Sequence, residues 1–336
     1  MNKPGIVVAN WVHSEIIGYL GEHGWVDANL SREPWSRQQL IEHCQGAVAL
    51  MGFMTEHVDD AFLEACPSLR MIACALKGYD NYDVDACRKR GVAISFVPDL
   101  LTNPTAELTV GLMIALGRNV VASDRFVRTG AFAGWRPTFY GAGLDGSTVG
   151  IVGMGAVGRA IAARLQGFGC RILYHDAKPK LDDMDPRWNA QPVTLQKLLA
   201  DSDYVVVVLP LASGAEHFLD RSAIASMKPG ALLINTGRGS VVDEEAVADA
   251  LGAGHLGGYA ADVFEMEDWA RANRPRAIPA RLLAAADRTL LTSHIGSAVD
   301  RVRFEIAREA ALNIVQFLAG TRPRGALLWP EPAVEC

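Results

Sequence analysis

The amino-acid sequence predicts an α/β protein with two doubly wound parallel-sheet domains, the second inserted into the first. The chain has 336 residues, which is enough for two domains of about 100–200 residues each. Apolar runs of strand length alternate with helical stretches almost throughout, as in parallel sheets covered by helices on both faces. The last helical stretch has no sheet strand after it and can return to the N-terminal sheet. We therefore predict one domain from residues 1–99 with 297–336, and another from residues 100–296.

The first series of strands is rich in β-branched residues and ends at Pro98 and Asp99. Its strands are predicted at 5–10, 47–53, 69–76 and 92–97. A long helix is predicted next, with a cap and a first-turn proline at residues 102–104 and no break before Gly130. Residues 108–116 are apolar around most of the helix, which predicts burial between the domains or in a subunit interface.

A second series of strands and helices begins near residue 148. Its strands are predicted at 148–153, 170–176, 204–210, 231–236, 258–264 and 289–294. The last helix should run from Ser297 to about Ala319, and its apolar stripe consists of Val302, Ile306, Ala310 and Ile314. The tail from Arg322 onward, which contains prolines, is predicted to be a peripheral arm.

Composition excludes several classes of protein. The formal net charge of −6 argues against a general nucleic-acid-binding protein, and no apolar run reaches the 18 residues of a membrane span. The N-terminal apolar run is too short for a secretory signal. None of the six cysteines forms a CxxC pair, which predicts reduced, mostly buried thiols, no metal site and a cytoplasmic location.

Residues 153–158 read GMGAVG, a G-x-G-x-x-G that follows an apolar strand and opens a helix. In a Rossmann-type domain Gly153 makes the tight turn, Gly155 lets a pyrophosphate approach the backbone, and Gly158 lets helix and strand pack closely. Ala156 and Val157 would form the helix N-terminus that faces the phosphates. The pattern predicts a dinucleotide site.

Asp176 ends the next predicted strand, 18 residues after Gly158. Its carboxylate should accept hydrogen bonds from the adenosine ribose and repel a 2′-phosphate. No arginine follows directly, since the next residue is Ala177, although Lys178 and Lys180 could soften the preference. The sequence therefore favours NAD over NADP.

Three polar residues follow predicted strands of the second series, where open α/β sheets bind their ligands. Arg238 could clamp an oxyanion, and His294 paired with Glu267 would be an acid–base group with a fixed tautomer. Each residue alone has an ordinary explanation: a solvated arginine or a histidine that hydrogen-bonds its own loop. Their combination after a cofactor fingerprint predicts a catalytic site.

The order G-x-G-x-x-G, Asp, N-x-x-R-G, D-V-F-E-x-E and S-H-I-G resembles the D-2-hydroxyacid dehydrogenase family. The resemblance covers nearly the whole chain. It implies a flavodoxin-like substrate domain, an inserted Rossmann-type NAD domain, a cleft between them and a homodimer. It assigns catalysis to Arg238, Glu267 and His294, and it places Asp262 at the nicotinamide amide. The other cofactor contacts that it implies are Thr105, Leu209, Pro210, Thr236 and Gly296.

One branch of the family fits better still, the branch that oxidises phosphite (phosphonate dehydrogenases). The strings at 73–87, 96–108, 132–155 and 264–276 resemble it closely, and Asp268 stands where other members have the proline of E-x-E-P. Lys77 marks this branch, because a phosphite dianion needs more positive charge than a monocarboxylate. By resemblance, phosphite would contact Lys77, Gly78, Met54, Trp135, Tyr140, Arg238 and His294, with Arg303 raising the local potential.

Several of these assignments have competing explanations. Met54 could serve packing alone, as could Trp135 and Tyr140 at an interface. Arg303 could be a solvated helix residue, and the spelling INTGRGS at 234–240 is that of the wider family. Two other functions therefore stay open: a D-2-hydroxyacid dehydrogenase acting on glycerate or lactate, and a dinucleotide-sensing, corepressor-like binding protein.

Overall fold

The computed structural model describes residues 3–177, 186–212, 214–269 and 271–329. It divides the chain into two units. The first unit comprises Met1–Leu101, Trp269–Ala272 and Ala298–Cys336, and the second comprises Thr102–Asp268 and Asn273–Ser297. The second unit thus interrupts the chain of the first. Each unit is built on one sheet, and the predicted fold class, two α/β domains with parallel sheets, is confirmed.

The first unit contains a six-stranded sheet in the order β13-β5-β4-β3-β1-β2. All neighbouring pairs are parallel except β13 with β5. Strands β3 and β4 are wholly buried in the middle. The strands are β1 Gly5–Val8, β2 Trp25–Ala28, β3 Ala49–Gly52, β4 Met71–Cys74, β5 Ala93–Ser95 and β13 Ala326–Leu328.

Five helices cover this sheet and share one core with it. The last helix returns to the sheet and packs on β3 and β4, and its predicted stripe of Val302, Ile306, Ala310 and Ile314 is buried. The helices of the first unit are α1 Ser14–His23, α2 Arg37–Cys44, α3 Asp60–Ala65, α4 Val84–Lys89 and α12 Asp300–Leu318. Because buried apolar side chains cover both faces, the strands read as continuous apolar runs.

The second unit contains a seven-stranded parallel sheet in the order β12-β11-β10-β9-β6-β7-β8. Counted within the unit, the first six strands follow the Rossmann order 3-2-1-4-5-6. Alternate residues serve two cores, with Leu233 packed on one face and Ile234 on the other. The strands are β6 Thr148–Val152, β7 Arg171–His175, β8 Ala190–Pro192, β9 Tyr204–Val207, β10 Leu232–Asn235, β11 Gly258–Ala261 and β12 Thr289–Leu291.

The helices of the second unit lie on both faces of its sheet. Helix α5 packs on α7, β10 and β11. Short 3-10 helices at Gln166–Phe168, Pro186–Trp188, Gly239–Val241 and Glu265–Glu267 complete the unit. The α-helices are α5 Thr102–Gly117, α6 Val120–Arg128, α7 Ala156–Leu165, α8 Leu195–Asp201, α9 Arg221–Ala225, α10 Glu244–Gly252 and α11 Ala280–Ala284.

The prediction of one unbroken helix to Gly130 is wrong. The chain turns at Asn119, which adopts a left-handed conformation with φ +53°, and α5 and α6 meet at 61°. Gly117 lies so close to Tyr204 that a Cβ there would come 2.3 Å from the tyrosine hydroxyl. The helix therefore ends where it would run into its own unit. Apolar side chains of α5 pack into that unit's core.

Three short strands at sheet edges escaped prediction: β2, β8 and β13. The tail after Arg322 is also not merely peripheral, because β13 pairs with β5 and the Gly325 carbonyl accepts a hydrogen bond from the Phe96 amide. Four of the described cysteines are buried free thiols and Cys170 is half-buried, while Cys336 lies outside the described residues. No single helix in the described part is long and apolar enough to span a membrane; α5 and α6 pass only as a bent pair.

Candidate functional site

The glycine loop after β6 is built for close approach. Gly153 has φ +100°, and a Cβ on Gly158 would lie 2.1 Å from the Gly153 carbonyl oxygen, so neither position tolerates a side chain. A Cβ on Gly155 would meet nothing within 4 Å, which leaves the loop backbone open at the start of α7. Ala156 and Val157 form the first turn, whose amides face outward from the helix end. This loop fits a pyrophosphate.

Asp176 follows β7 directly and lies beside this loop. Its Oδ2 accepts a hydrogen bond of 2.8 Å from the Met154 amide, so the carboxylate is tied to the turn that would hold the pyrophosphate. This position fits an acceptor for ribose hydroxyls. The two lysines considered for cofactor preference, Lys178 and Lys180, lie outside the described residues.

Asp176→Ala is expected to raise the NADP/NAD ratio of kcat/KM by about tenfold or more, because the charge that repels the 2′-phosphate is removed. Use of NAD should fall as well, since the Met154 amide loses its acceptor. Steady-state kinetics with both cofactors measures the ratio, and Asp85→Ala, an exposed carboxylate of the first unit, is the matched control. Equal use of NAD and NADP by the wild-type protein would contradict this account of Asp176.

Of the other predicted cofactor residues, Thr105 lies on α5, and the rest follow the carboxyl ends of neighbouring strands. Leu209 and Pro210 follow β9, and Thr236 follows β10. The Thr236 and Thr109 hydroxyls are 2.8 Å apart, and Thr109 also donates to the Thr105 carbonyl. These contacts join α5 to the sheet at the edge where open α/β sheets bind ligands.

Asp262 has a structural task besides the predicted contact with nicotinamide. Its buried carboxylate follows β11 and accepts hydrogen bonds from the Thr292 hydroxyl (2.6 Å) and from the Ile295 and Gly296 amides (2.8 Å each). These three bonds hold the loop after β12, which carries His294. A side chain on Gly296 would be crowded, because its Cβ would lie 3.1 Å from Asp262 Oδ2.

His294 and Glu267 form an ion pair or charge-assisted hydrogen bond, with Nδ1 2.9 Å from Oε2. About a quarter of each side chain is exposed, so both reach solvent from a mostly buried setting. Glu267 is oriented by the Phe264 amide, which donates to its Oε1 at 2.7 Å. His294 has φ +55°, a conformation that non-glycine residues adopt rarely and that often marks functional sites. With Nδ1 engaged, Nε2 is the ring nitrogen placed for proton exchange.

Arg238 lies three residues after β10, on a turn that is held tightly. The Asn235 side chain donates to the Arg238 carbonyl at 3.0 Å and accepts from the Gly237 amide at 3.1 Å. Since β10, β11 and β12 are adjacent and parallel, Arg238, Glu267 and His294 all follow the carboxyl ends of neighbouring strands. The structure thus places the three predicted catalytic residues at one edge of one sheet.

Four predicted substrate residues belong to the first unit. Lys77 and Gly78 follow β4, Met54 follows β3, and Arg303 lies on α12; all four are half-buried. Met54 packs against the core of its unit, and burial lowers the pKa of Arg303. The loops after β3 and β4 are joined by hydrogen bonds, because Asn81 and Tyr82 both donate to the Phe53 carbonyl.

Trp135 and Tyr140 do not pack within their own unit. Their side chains are 84% and 79% exposed, on a segment in which residues 128–143 are all exposed. Both side chains therefore make little contact with the rest of their unit.

Sequence reasoning missed a buried acidic cluster around Glu267. Glu265 pairs with His217 at 3.0 Å and accepts from the Glu244 amide, while its own amide donates to the Glu244 carboxyl group. Burial raises the pKa of Glu244 to about 8, so this carboxyl group is protonated at neutral pH. His217, Glu265 and Asp243 have ligand atoms within 4.8 Å of one another and could hold a metal ion, although Asp243 already caps α10. In the sequence, the close spacing of the acidic residues at 265, 267 and 268 was the feature that could have indicated this cluster.

Comparison with known proteins identifies the family. The family model described as "D-isomer specific 2-hydroxyacid dehydrogenase, NAD binding domain" matches residues 110–296. Glyoxylate reductase from Thermococcus onnurineus is 35% identical over 326 residues, which cover 96% of this chain and 95% of that protein. The Pyrococcus horikoshii glyoxylate reductase is 37% identical with the same coverage of both chains. Among solved structures, the TT0316 protein from Thermus thermophilus has a TM-score of 0.86 at 32% identity, covering 96% of this chain and 100% of that one.

The matched range contains the glycine loop, Asp176 and the three residues at the strand ends. The second unit is accordingly a Rossmann-type NAD-binding domain, and the residues of its glycine loop fit that cofactor. This chain belongs to the D-isomer specific 2-hydroxyacid dehydrogenase family and is an NAD-dependent dehydrogenase.

Proposed function

We propose that Arg238, Glu267 and His294 act on a small oxyanion while NAD exchanges a hydride with it, and that this oxyanion is phosphite. Family membership supports the first part. The choice of phosphite rests on Lys77, a half-buried cation in the turn after β4 where the wider family commonly has an apolar or small residue. A phosphite dianion carries more charge than a monocarboxylate, so an added cation favours it. The close resemblance of the strings at 73–87 and 264–276 to the phosphite-oxidising branch supports the same choice.

The proposed reaction breaks a P–H bond and forms a P–O bond. When bound, NAD+ accepts the hydride at C4 of its nicotinamide. Arg238 binds phosphite oxygens through two N–H groups and stabilises their charge as it redistributes. His294 Nε2 takes the proton from the attacking water, and Glu267 stabilises the resulting imidazolium at Nδ1. Phosphorus is oxidised by two electrons, and phosphate leaves with the oxygen from water.

The second candidate is interconversion of a 2-hydroxy acid and its 2-oxo acid. The names of the compared relatives, glyoxylate reductases at 35% and 37% identity, support it better than they support phosphite oxidation. The same groups serve this reaction: Arg238 would clamp the carboxylate, and His294 would take the proton of the 2-hydroxyl group or return it to the carbonyl oxygen. Both candidates need the His294–Glu267 pair, so this pair does not separate them.

The proposal is tested by NADH formation from NAD+ with phosphite, compared with glycolate, D-glycerate and D-lactate at equal concentrations. Glyoxylate reduction with NADH is measured in parallel. We expect phosphite to give the highest kcat/KM, with one phosphate per NADH and no measurable reverse reaction. Turnover of the hydroxy acids or of glyoxylate without turnover of millimolar phosphite would establish the second candidate. Absence of turnover with every one of these substrates would contradict both candidates.

Lys77→Ala is expected to raise the KM for phosphite by about tenfold or more and to change kcat less, because it deletes a charge that binds the dianion before and during reaction. Lys89→Ala, which removes an exposed lysine of α4 in the same unit, is the matched control. Initial rates over a range of phosphite concentrations separate the two constants. An unchanged KM for phosphite would remove the feature on which the choice of phosphite rests.

We propose that two copies of the chain form a homodimer through α6 and the exposed segment at 131–143. Helix α6 has no buried residue in this chain, and its apolar side chains Val120 and Val127 are exposed to solvent. The neighbouring segment exposes large aromatic side chains: Phe132, Trp135, Phe139 and Tyr140. Several exposed apolar side chains on a helix and its adjoining loop fit a self-complementary two-fold interface.

The dimer predicts a mass in solution of twice the 36.2 kDa chain, measured by sedimentation at micromolar concentration. Trp135→Asp should shift the protein towards monomer, because it places a charge in an apolar interface. Asp85→Ala, an exposed carboxylate of α4 outside this surface, serves as a control with little expected effect. A wild-type monomer at micromolar concentration would contradict the proposal.

A further inference from the structure

Asp268 is a buried carboxylate that no assigned role explains. It follows the 3-10 helix Glu265–Glu267 and stands where the wider family has a proline. Its side chain is only 3% exposed. Burying a carboxylate is costly unless hydrogen-bond donors compensate it, so its contacts indicate what it does.

The Asp268 carboxylate holds the turn that carries Arg238. Its Oδ2 accepts a hydrogen bond of 2.7 Å from the amide of Ser240, two residues after the arginine. On the other side, the buried Asn235 side chain binds the Arg238 carbonyl and the Gly237 amide. The backbone around Arg238 is therefore fixed by one side chain before it and by Asp268 after it.

The backbone beside Arg238 and the backbone that leads to Glu267 are in close contact, so one cannot move far without the other. A Cβ on Gly239 would lie 1.9 Å from the carbonyl carbon of Phe264, so the backbone beside Arg238 touches the backbone that leads to Glu267. Glu267 in turn binds His294. A proline at 268 offers no side-chain acceptor, and the Ser240 amide would lose this bond.

We propose that Asp268 is a positioning residue, which sets the direction of the Arg238 guanidinium towards the substrate anion by holding the Ser240 amide. The inference rests on the proposed role of Arg238, which is common to both substrate candidates. Asp268 itself needs no contact with substrate or cofactor. It acts by fixing the backbone that carries Arg238. A displacement of the guanidinium by about one ångström would weaken its bidentate contact with the anion.

The test compares Asp268→Asn with Asp268→Ala. Asparagine keeps a carbonyl oxygen as acceptor and should retain kcat and KM within about threefold of wild type. Alanine removes the acceptor of a charge-assisted bond and should lower kcat/KM for the anion about tenfold to a hundredfold, with the KM for NAD unchanged. Asp287→Ala, an exposed carboxylate of the same unit, is the control.

A double-mutant cycle separates positioning from general destabilisation. In an Arg238→Lys background, Asp268→Ala should have little further effect on kcat/KM, because the fork that it aligns is already gone. Additive losses in the cycle, or an alanine variant with wild-type kinetics, would overturn the proposal. If the alanine variant does not fold, Asp268→Leu removes the same acceptor with a side chain of similar shape and keeps the Asp268 amide bond to the Glu265 carbonyl, and it enters the same cycle.

Binding measurements keep this inference separate from the proposed reaction. Calorimetry is done with inorganic phosphite and with oxalate as probes, each on protein saturated with NADH, so that phosphite cannot be oxidised during the measurement. We expect Asp268→Ala to weaken binding of whichever probe the wild-type protein binds, phosphite or oxalate, about tenfold or more. The affinity for NADH should not change. If wild type binds a probe but turns over no substrate, the proposed reaction fails and the positioning role is still measured. Equal probe affinity in wild type and Asp268→Ala would overturn the positioning role alone.

Discussion

Replacing His294 with alanine is expected to lower kcat by about 10²–10⁴-fold with either candidate substrate, because the group that exchanges the proton is lost. The expectation rests on the 2.9 Å contact between Nδ1 and Glu267, which fixes the ring and leaves Nε2 for the reaction. KM should change much less than kcat. Single-turnover and steady-state rates measure the loss, and His23→Ala, an exposed histidine of α1, is the control.

Glu267→Gln should be milder than His294→Ala and should shift the pH profile. The neutral amide cannot stabilise an imidazolium as a carboxylate does, so the acidic limb of kcat/KM for oxidation should move to lower pH. Near wild-type kcat in His294→Ala, together with loss of kcat in Arg238→Lys, would place Arg238 closer to the proton transfer and remove His294 from that role.

Arg238→Lys is expected to lower kcat/KM on the order of 10²-fold although the charge is kept, because an ammonium cannot make the two parallel bonds of a guanidinium. The turn is held by Asn235 and Asp268, so a shorter side chain cannot be compensated by backbone movement. Arg308→Lys, at an exposed position of α12, is the control. Retention of kcat/KM within about threefold would show that bidentate binding at Arg238 is not needed.

Much of the fold could be predicted because its central strands are fully buried. Runs such as 204–207 and 232–235 are apolar on both faces, and the glycines of the loop after β6 are required by contacts as close as 2.1 Å. The strand ends then located Arg238, Glu267 and His294, since parallel strands bring their carboxyl ends to one edge. Periodicity and turn chemistry carried this information locally.

Other features depend on tertiary contacts that no local pattern shows. The break at Asn119 follows from the packing of Gly117 under Tyr204, which is distant in sequence. The edge strand β2 is short and only partly buried, so it lacks an apolar run. In the sequence, Asp262 was assigned to the cofactor and Asp268 was noted only as a departure from the wider family. In the structure, each carboxylate holds a loop by accepting hydrogen bonds from backbone amides. Such roles become visible only when the structure shows which backbone amides from other segments lie near each carboxylate.

The most direct test of phosphite oxidation follows the hydrogen that is transferred from phosphorus to the cofactor. Phosphite deuterated on phosphorus is incubated with NAD+ and the wild-type protein in ordinary water, and the reduced cofactor is analysed by mass spectrometry. Glycolate deuterated at C2 is run in parallel. The account predicts that the reduced cofactor formed with labelled phosphite carries one deuterium, with phosphate formed in equal amount. Deuterium transfer from labelled glycolate, with no cofactor reduction by phosphite, would contradict it and assign the site to 2-hydroxy acids.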